Sequence, residues 1–168
     1  MRGCFSWPGT TKDNRMNTEK HGKTTQTLGA QRHTGGCHCG AVRYEVTVDA
    51  SRGGRCNCPI CNKINQLGGM VKPDAFKLVT GGEIISLYEW GGQTSRRSFC
   101  KQCGVHCFGS GHLKELGGDF VSVNLNTLDG IDPDRMSVSY WEGRHDNLHA
   151  GTSDKPSLMT PRPSESAA

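Results

Sequence analysis

At 168 residues the chain has the length of one domain, with 33% hydrophobic residues, 23 glycines and nine cysteines. Its net charge of +4 sits in residues 1–34, which carry six Lys/Arg against two Asp/Glu. The remainder carries fourteen of each, so it lacks the electrostatic footprint of a nucleic-acid binder, and the odd cysteine count excludes a fully paired disulfide framework.

Residues 1–34 are rich in Thr, Lys, Asn, Gly and Gln without a hydrophobic period, and read as a disordered, solvated basic arm. Cys4 lies there, apart from the other cysteines, and is not expected to be a ligand; Met16 offers a second start that would omit it. Residues 1–9 contain no apolar run fit for a secretory core, and no stretch approaches a membrane span. A reducing cytoplasm is the expected location.

The ordered domain is expected over 35–150, opening at Gly35-Gly36-Cys37-His38-Cys39-Gly40. Ala41 to Val48 alternates apolar and polar residues, the clearest strand signal in the chain. Asp49 to Arg55 reads as a loop leading to Cys56-Asn57-Cys58-Pro59-Ile60-Cys61, and Asn62 to Leu67 as a short helical turn. Met70-Val71 and Phe76 to Val79 read as strands, and Ile84 to Trp90 as a strand buried on both faces. Thr94 to Phe99 leads into Cys100, Val105 to Phe108 leads out of Cys103, and Phe120 to Leu125 and Met136 to Trp141 are the last strands. Short strands with frequent Gly turns predict a mainly β domain. Residues 151–168 form a Pro/Ser-rich tail, read as disordered from Asp154.

Seven cysteines in three clusters carry the chemistry. Thiolates are preferred ligands of tetrahedral zinc, and Cys-x-x-Cys lets two of them chelate from one turn. Cys37, Cys39, Cys100 and Cys103 make a complete four-thiolate set. Cys56, Cys58 and Cys61 make a set of three, which would leave a fourth position for water or substrate. Cys107 reads as a small core residue, or else as the ligand that closes the second set.

His38 reads as a solvent-facing spacer between two ligands. His106, His112, His145 and His149 are candidates for a general base, set against an ordinary surface or hydrogen-bonded role. Arg96 or Arg97 could clamp a substrate carboxylate; being adjacent on a strand, at most one of them faces the site.

The runs Gly36-Cys37-His38-Cys39-Gly40-Ala41-Val42-Arg43-Tyr44, Cys56-Asn57-Cys58-Pro59-Ile60-Cys61 and Arg97-Ser98-Phe99-Cys100-Lys101-Gln102-Cys103-Gly104 resemble the glutathione-dependent formaldehyde-activating enzyme (Gfa) family. The resemblance covers residues 35 to 150. It implies an Mss4-like fold of small antiparallel sheets held by zinc. It further implies a structural zinc on Cys37, Cys39, Cys100 and Cys103 and a catalytic zinc on Cys56, Cys58 and Cys61. The implied activity is that of a carbon–sulfur lyase, condensing glutathione or a similar thiol with formaldehyde or another small aldehyde. The substrates would be small molecules, with no nucleic acid or membrane partner. The family's centromere-protein-V relatives imply an alternative, a non-catalytic zinc-binding interaction module. A thiol redox protein is a further rival through Cys58-Pro59-Ile60-Cys61, but the strand–helix context of a thioredoxin is missing.

Overall fold

The computed structural model describes residues 29–89, 95–144 and 152–153. In chain order the strands are β1 (Gln31–Gly36), β2 (Arg43–Val48), β3 (Arg52–Cys56), β4 (Gly68–Val71), β5 (Phe76–Thr80), β6 (Ile85–Glu89), β7 (Ser95–Cys100), β8 (His106–Leu113), β9 (Gly118–Asn124), β10 (Ser137–Trp141) and β11 (Thr152–Ser153). One α-helix, α1 (Pro59–Lys63), follows β3, and single 3-10 turns join several strands. β1, β2 and β5 form a three-stranded antiparallel sheet. The other eight strands form a second sheet in the order β11-β10-β3-β4-β9-β8-β7-β6, antiparallel except for the parallel pair β3–β10. This is the mainly β, Mss4-like arrangement expected. No helix among the described residues is long and apolar enough to cross a membrane.

The alternation in β2 works as its sequence implies: Tyr44, Val46 and Val48 are buried while Thr47 is exposed. Those side chains join Phe108, Val121 and Val123 of the larger sheet in one core. Burying a side chain of this size stabilises the fold by roughly 1.5–3 kcal/mol. Tyr44, Phe76 and Phe108 form an aromatic triangle with ring centroids 4.6 to 6.0 Å apart. The Tyr44 hydroxyl meets the Thr127 hydroxyl at 2.7 Å, so the buried phenol is satisfied.

Four expectations change. The helical turn expected over Asn62 to Leu67 is α1, which starts three residues earlier at Pro59 and ends at Lys63. β1 begins at Gln31, four residues before Gly35, because Arg32 pairs with Glu45 and Thr34 bonds Asp129 through both side chain and backbone. β3 is a strand where a loop was expected; its two glycines weaken the sequence signal, yet both neighbours press close. A Cβ on Gly53 would lie 2.6 Å from Leu67, and one on Gly54 3.0 Å from the Trp141 indole nitrogen. β6 lies at the edge of the larger sheet, not buried on both faces: Leu87 is 58% and Tyr88 45% exposed. Residues 1–28, including Cys4, and His145 and His149 lie outside the described residues.

Candidate metal centres

The two ends of the fold that meet at the first centre are built alike. After β1, Cys37 and Cys39 sit in a turn whose Gly40 amide donates to the Cys37 carbonyl at 3.1 Å. After β7, Cys100 and Cys103 sit in a turn whose Gly104 amide donates to the Cys100 carbonyl at 2.8 Å. Gly40 and Gly104 have φ of 77° and 72°, with open space where a Cβ would stand. Glycine is required there by backbone conformation and not by crowding. The four ligand sulfurs all lie within 4.8 Å of one another. Cys37 and Cys39 are 3.4 Å apart, Cys39 and Cys100 3.7 Å. Zinc–sulfur bonds of about 2.3 Å in a tetrahedron set sulfurs about 3.8 Å apart, so this group fits such an ion. The Val42 amide donates to the Cys37 sulfur at 3.3 Å, and the amides of Cys39 and Val105 bring the Cys103 thiol down to about 6.

Cys107 is buried in the core behind this group. Burial, then the Cys37 and Cys103 sulfurs, push its thiol up to about 12. It is not among the sulfurs of the second centre, so the possibility that it closes that centre is set aside. The reason is a bulge in β8. Ser98 pairs with Phe108 but Phe99 pairs with His106, so Cys107 is the extra residue. Cys107 and Phe108 both join the core, and His106 turns to the opposite face.

The second centre stands at the end of β3. Cys56 closes the strand, Cys58 caps α1 and Cys61 lies on its first turn; their sulfurs are within 4.8 Å of one another. Pro59 starts the helix, where no backbone N–H is needed. Among the described residues no fourth Cys, His, Asp or Glu joins this group. Three close thiols compete for protons. Hydrogen bonds from Cys56 and Cys61 hold Cys58 down at about 2. Cys56 is pushed well above its ordinary value by Cys58, Cys61 and burial. Cys61 is also raised: the Cys56 thiol pulls it down, but Cys58 and burial outweigh that. The three thiols thus share their protons unevenly, Cys58 giving up its own most readily.

Residues that spacing does not reveal surround this centre. Arg97 directs Nη2 at the Cys61 sulfur at 3.7 Å and Nη1 at the Ser95 hydroxyl at 3.1 Å. Its neighbour Arg96 pairs instead with Glu89 at 2.5 Å, so one arginine of the two faces the site, as strand geometry demands. Buried Gln66 lies between the Cys61 sulfur, 3.7 Å from Oε1, and the Ser122 hydroxyl, to which Nε2 donates at 2.8 Å. Asn57, between two ligands, ties down the chain that follows β10. Its Oδ1 accepts from the Gly143 and Arg144 amides at 2.9 Å each, and its Nδ2 donates to Glu142 at 2.9 Å. This strap crosses the Cys56 sulfur so closely that a Cβ on Gly143 would lie 2.3 Å from it.

Of the histidines, His38 is exposed, and His112 is exposed and bonds Asp119 at 2.7 Å. His106 is buried beside the Arg97 side of the sheet.

A family model described as glutathione-dependent formaldehyde-activating enzyme matches residues 32–144. A protein of Penicillium rubens is 32% identical over 102 residues, 56% of this chain and 53% of its own length. One of Phaeosphaeria nodorum is 31% identical over 116 residues, 62% of this chain and 60% of its own. Both are named, provisionally, for that activity. The chain therefore spans 53% to 60% of the length of these curated relatives. A crystal structure of a Rhodobacter sphaeroides protein superposes with a TM-score of 0.54 at 28% identity, over 60% of this chain and 92% of that one.

Proposed function

The chain belongs to the glutathione-dependent formaldehyde-activating enzyme family, and from that premise we propose that it is a zinc-dependent carbon–sulfur lyase run in the condensing direction. Its substrates are glutathione or a similar thiol and formaldehyde or another small aldehyde, met in the cytoplasm. Cys56, Cys58 and Cys61 hold the working ion, and Cys37, Cys39, Cys100 and Cys103 hold a structural one. The observation that carries this reading is the contrast between the centres: four thiols complete a tetrahedron, three do not. An all-thiol donor set favours zinc over hard, oxygen-seeking cations.

Bound at the three-thiol centre, zinc would supply Lewis acidity and stabilise a substrate sulfur as its thiolate. The chain's own residues do the rest. In the condensation sulfur bonds to the carbonyl carbon, the carbonyl π pair moves to oxygen, and the thiol's proton ends on that oxygen. Three thiolates and a divalent ion sum to one negative charge, and Arg97 stands 3.7 Å from Cys61 to offset it. Asn57 and Gln66 keep Cys56 and Cys61 in place by fixing the strap and the turn around them.

Exchange among formaldehyde, glutathione and their adduct, followed by NMR, should run faster with the protein than without. Cys58→Ser should remove the acceleration while the chain stays folded. Glutathione should also raise the melting temperature by mass action. Zinc retained at both centres, with no thiol binding and no acceleration, would make this a structural zinc module instead.

A further inference from the structure

Two buried polar atoms, one of them on the arginine that touches Cys61, are not used by the thiol chemistry. Arg97 has both terminal nitrogens engaged, but its Nε–H is buried without a partner. His106, 8% exposed, meets the Ser98 carbonyl through Nδ1 at 3.1 Å. A carbonyl can only accept, so Nδ1 carries the hydrogen and Nε2 presents a lone pair. That Nε2 is also buried without a partner. Register places the two residues together. Arg97 and Phe99 share a face of β7, and the bulge at Cys107 pairs Phe99 with His106 on that face. The Arg97 charge, after burial, helps keep His106 neutral, down at about 4.

Buried donors and acceptors in folded proteins are nearly always satisfied. Here one donor and one acceptor stand on the same face of neighbouring strands, and a single substrate group that answers both is narrowly defined. A carboxylate or carbonyl oxygen accepts from Arg97 but has no proton for His106. An ammonium has protons but no lone pair. A hydroxyl has both, as does the water that it would displace. We propose that Arg97 Nε and His106 Nε2 form a hydroxyl-recognition site, which receives the hydroxymethyl oxygen of the thiol–aldehyde adduct. The proposal rests on the reading above that the ion held by Cys56, Cys58 and Cys61 meets the substrate's sulfur. That oxygen lies two bonds from the sulfur, and Arg97 touches Cys61, so one small group can bridge both places. The pair selects the hemithioacetal against S-alkyl thiols, which carry the same peptide and no hydroxyl.

The test compares two ligands on the zinc-loaded protein, glutathione equilibrated with formaldehyde and S-methylglutathione, by NMR titration. The adduct should bind about tenfold tighter. His106→Asn keeps a donor for the Ser98 carbonyl and lacks an atom at Nε2; it should bring the ratio to about one, with zinc content unchanged. His106→Gln restores an acceptor near Nε2 and should recover part of the preference. Retained preference in His106→Asn overturns the proposal and leaves the functional reading standing. Absence of binding by either ligand to the unaltered protein overturns both.

Discussion

Each sulfur of the three-thiol centre titrates as its neighbours dictate. Cys58 is held down by hydrogen bonds from Cys56 and Cys61, while Cys56 and Cys61 are themselves raised. A cation that binds all three must displace the protons on the raised pair. Metal uptake by the metal-free centre should therefore release about two protons, and affinity should rise with pH in the window below the raised thiol values. The sign follows from competition: lowering pH restores protons to Cys56 and Cys61 and expels the ion. Zinc titration in two buffers of different ionisation enthalpy, read by calorimetry, counts the protons; a count of zero would refute the scheme. The two groupings of sulfurs were legible in the sequence, since close spacing decides which thiols can meet locally. Arg97, Gln66, Ser122 and His106 were not, because their approach to the centre depends on strand register and on a one-residue bulge that no local pattern announces. The arginine pair came nearest: alternation says that only one can face inward, but not which.

At the scale of elements, the centre is made by β3 and α1 beneath the strap after β10; β3 and β10 run parallel and in register up to Cys56 and Trp141. β3 escaped notice because Gly53 and Gly54 carry no strand propensity; tertiary contact with Leu67 and Trp141 imposes extended structure there. β6 was misjudged for the opposite reason. Its apolar run suggested burial, and topology left it at an edge. By contrast, β2 was readable because one face is buried throughout, which preserves the period of two. The strap supports a sharp test. In Gly143→Ala the new methyl would stand 2.3 Å from the Cys56 sulfur, so strap or sulfur must move. Zinc content should fall from two equivalents to about one with the fold retained, since the four-thiol centre lies elsewhere. Gly130→Ala, at a positive φ but in open space, is the control and should lose only about 1 kcal/mol of stability and no metal. Two equivalents in both variants would show that the strap does not govern the centre.

Across the whole molecule the four-thiol centre joins the turn after β1 to the turn after β7, and so links the two sheets. Binding energy at such a site is folding energy. Cys37→Ser and Cys100→Ser should give unfolded or insoluble protein, while Cys58→Ser and Cys61→Ser should stay folded with one ion weakened. Melting followed by circular dichroism, with elemental analysis beside it, separates the cases; equal unfolding in all four would make both ions structural. The spacing of the two centres along the chain also bears on biosynthesis. The three-thiol set is contained in six residues, Cys56 to Cys61, whereas Cys39 and Cys100 are 61 positions apart. Closing a long loop costs more entropy than closing a short one. A chain emerging from the ribosome can gather an ion at the short set before Cys100 has been made. The four-thiol set can therefore be completed only after the three-thiol set has emerged, and a zinc shortage during synthesis should show first as a loss of folded protein.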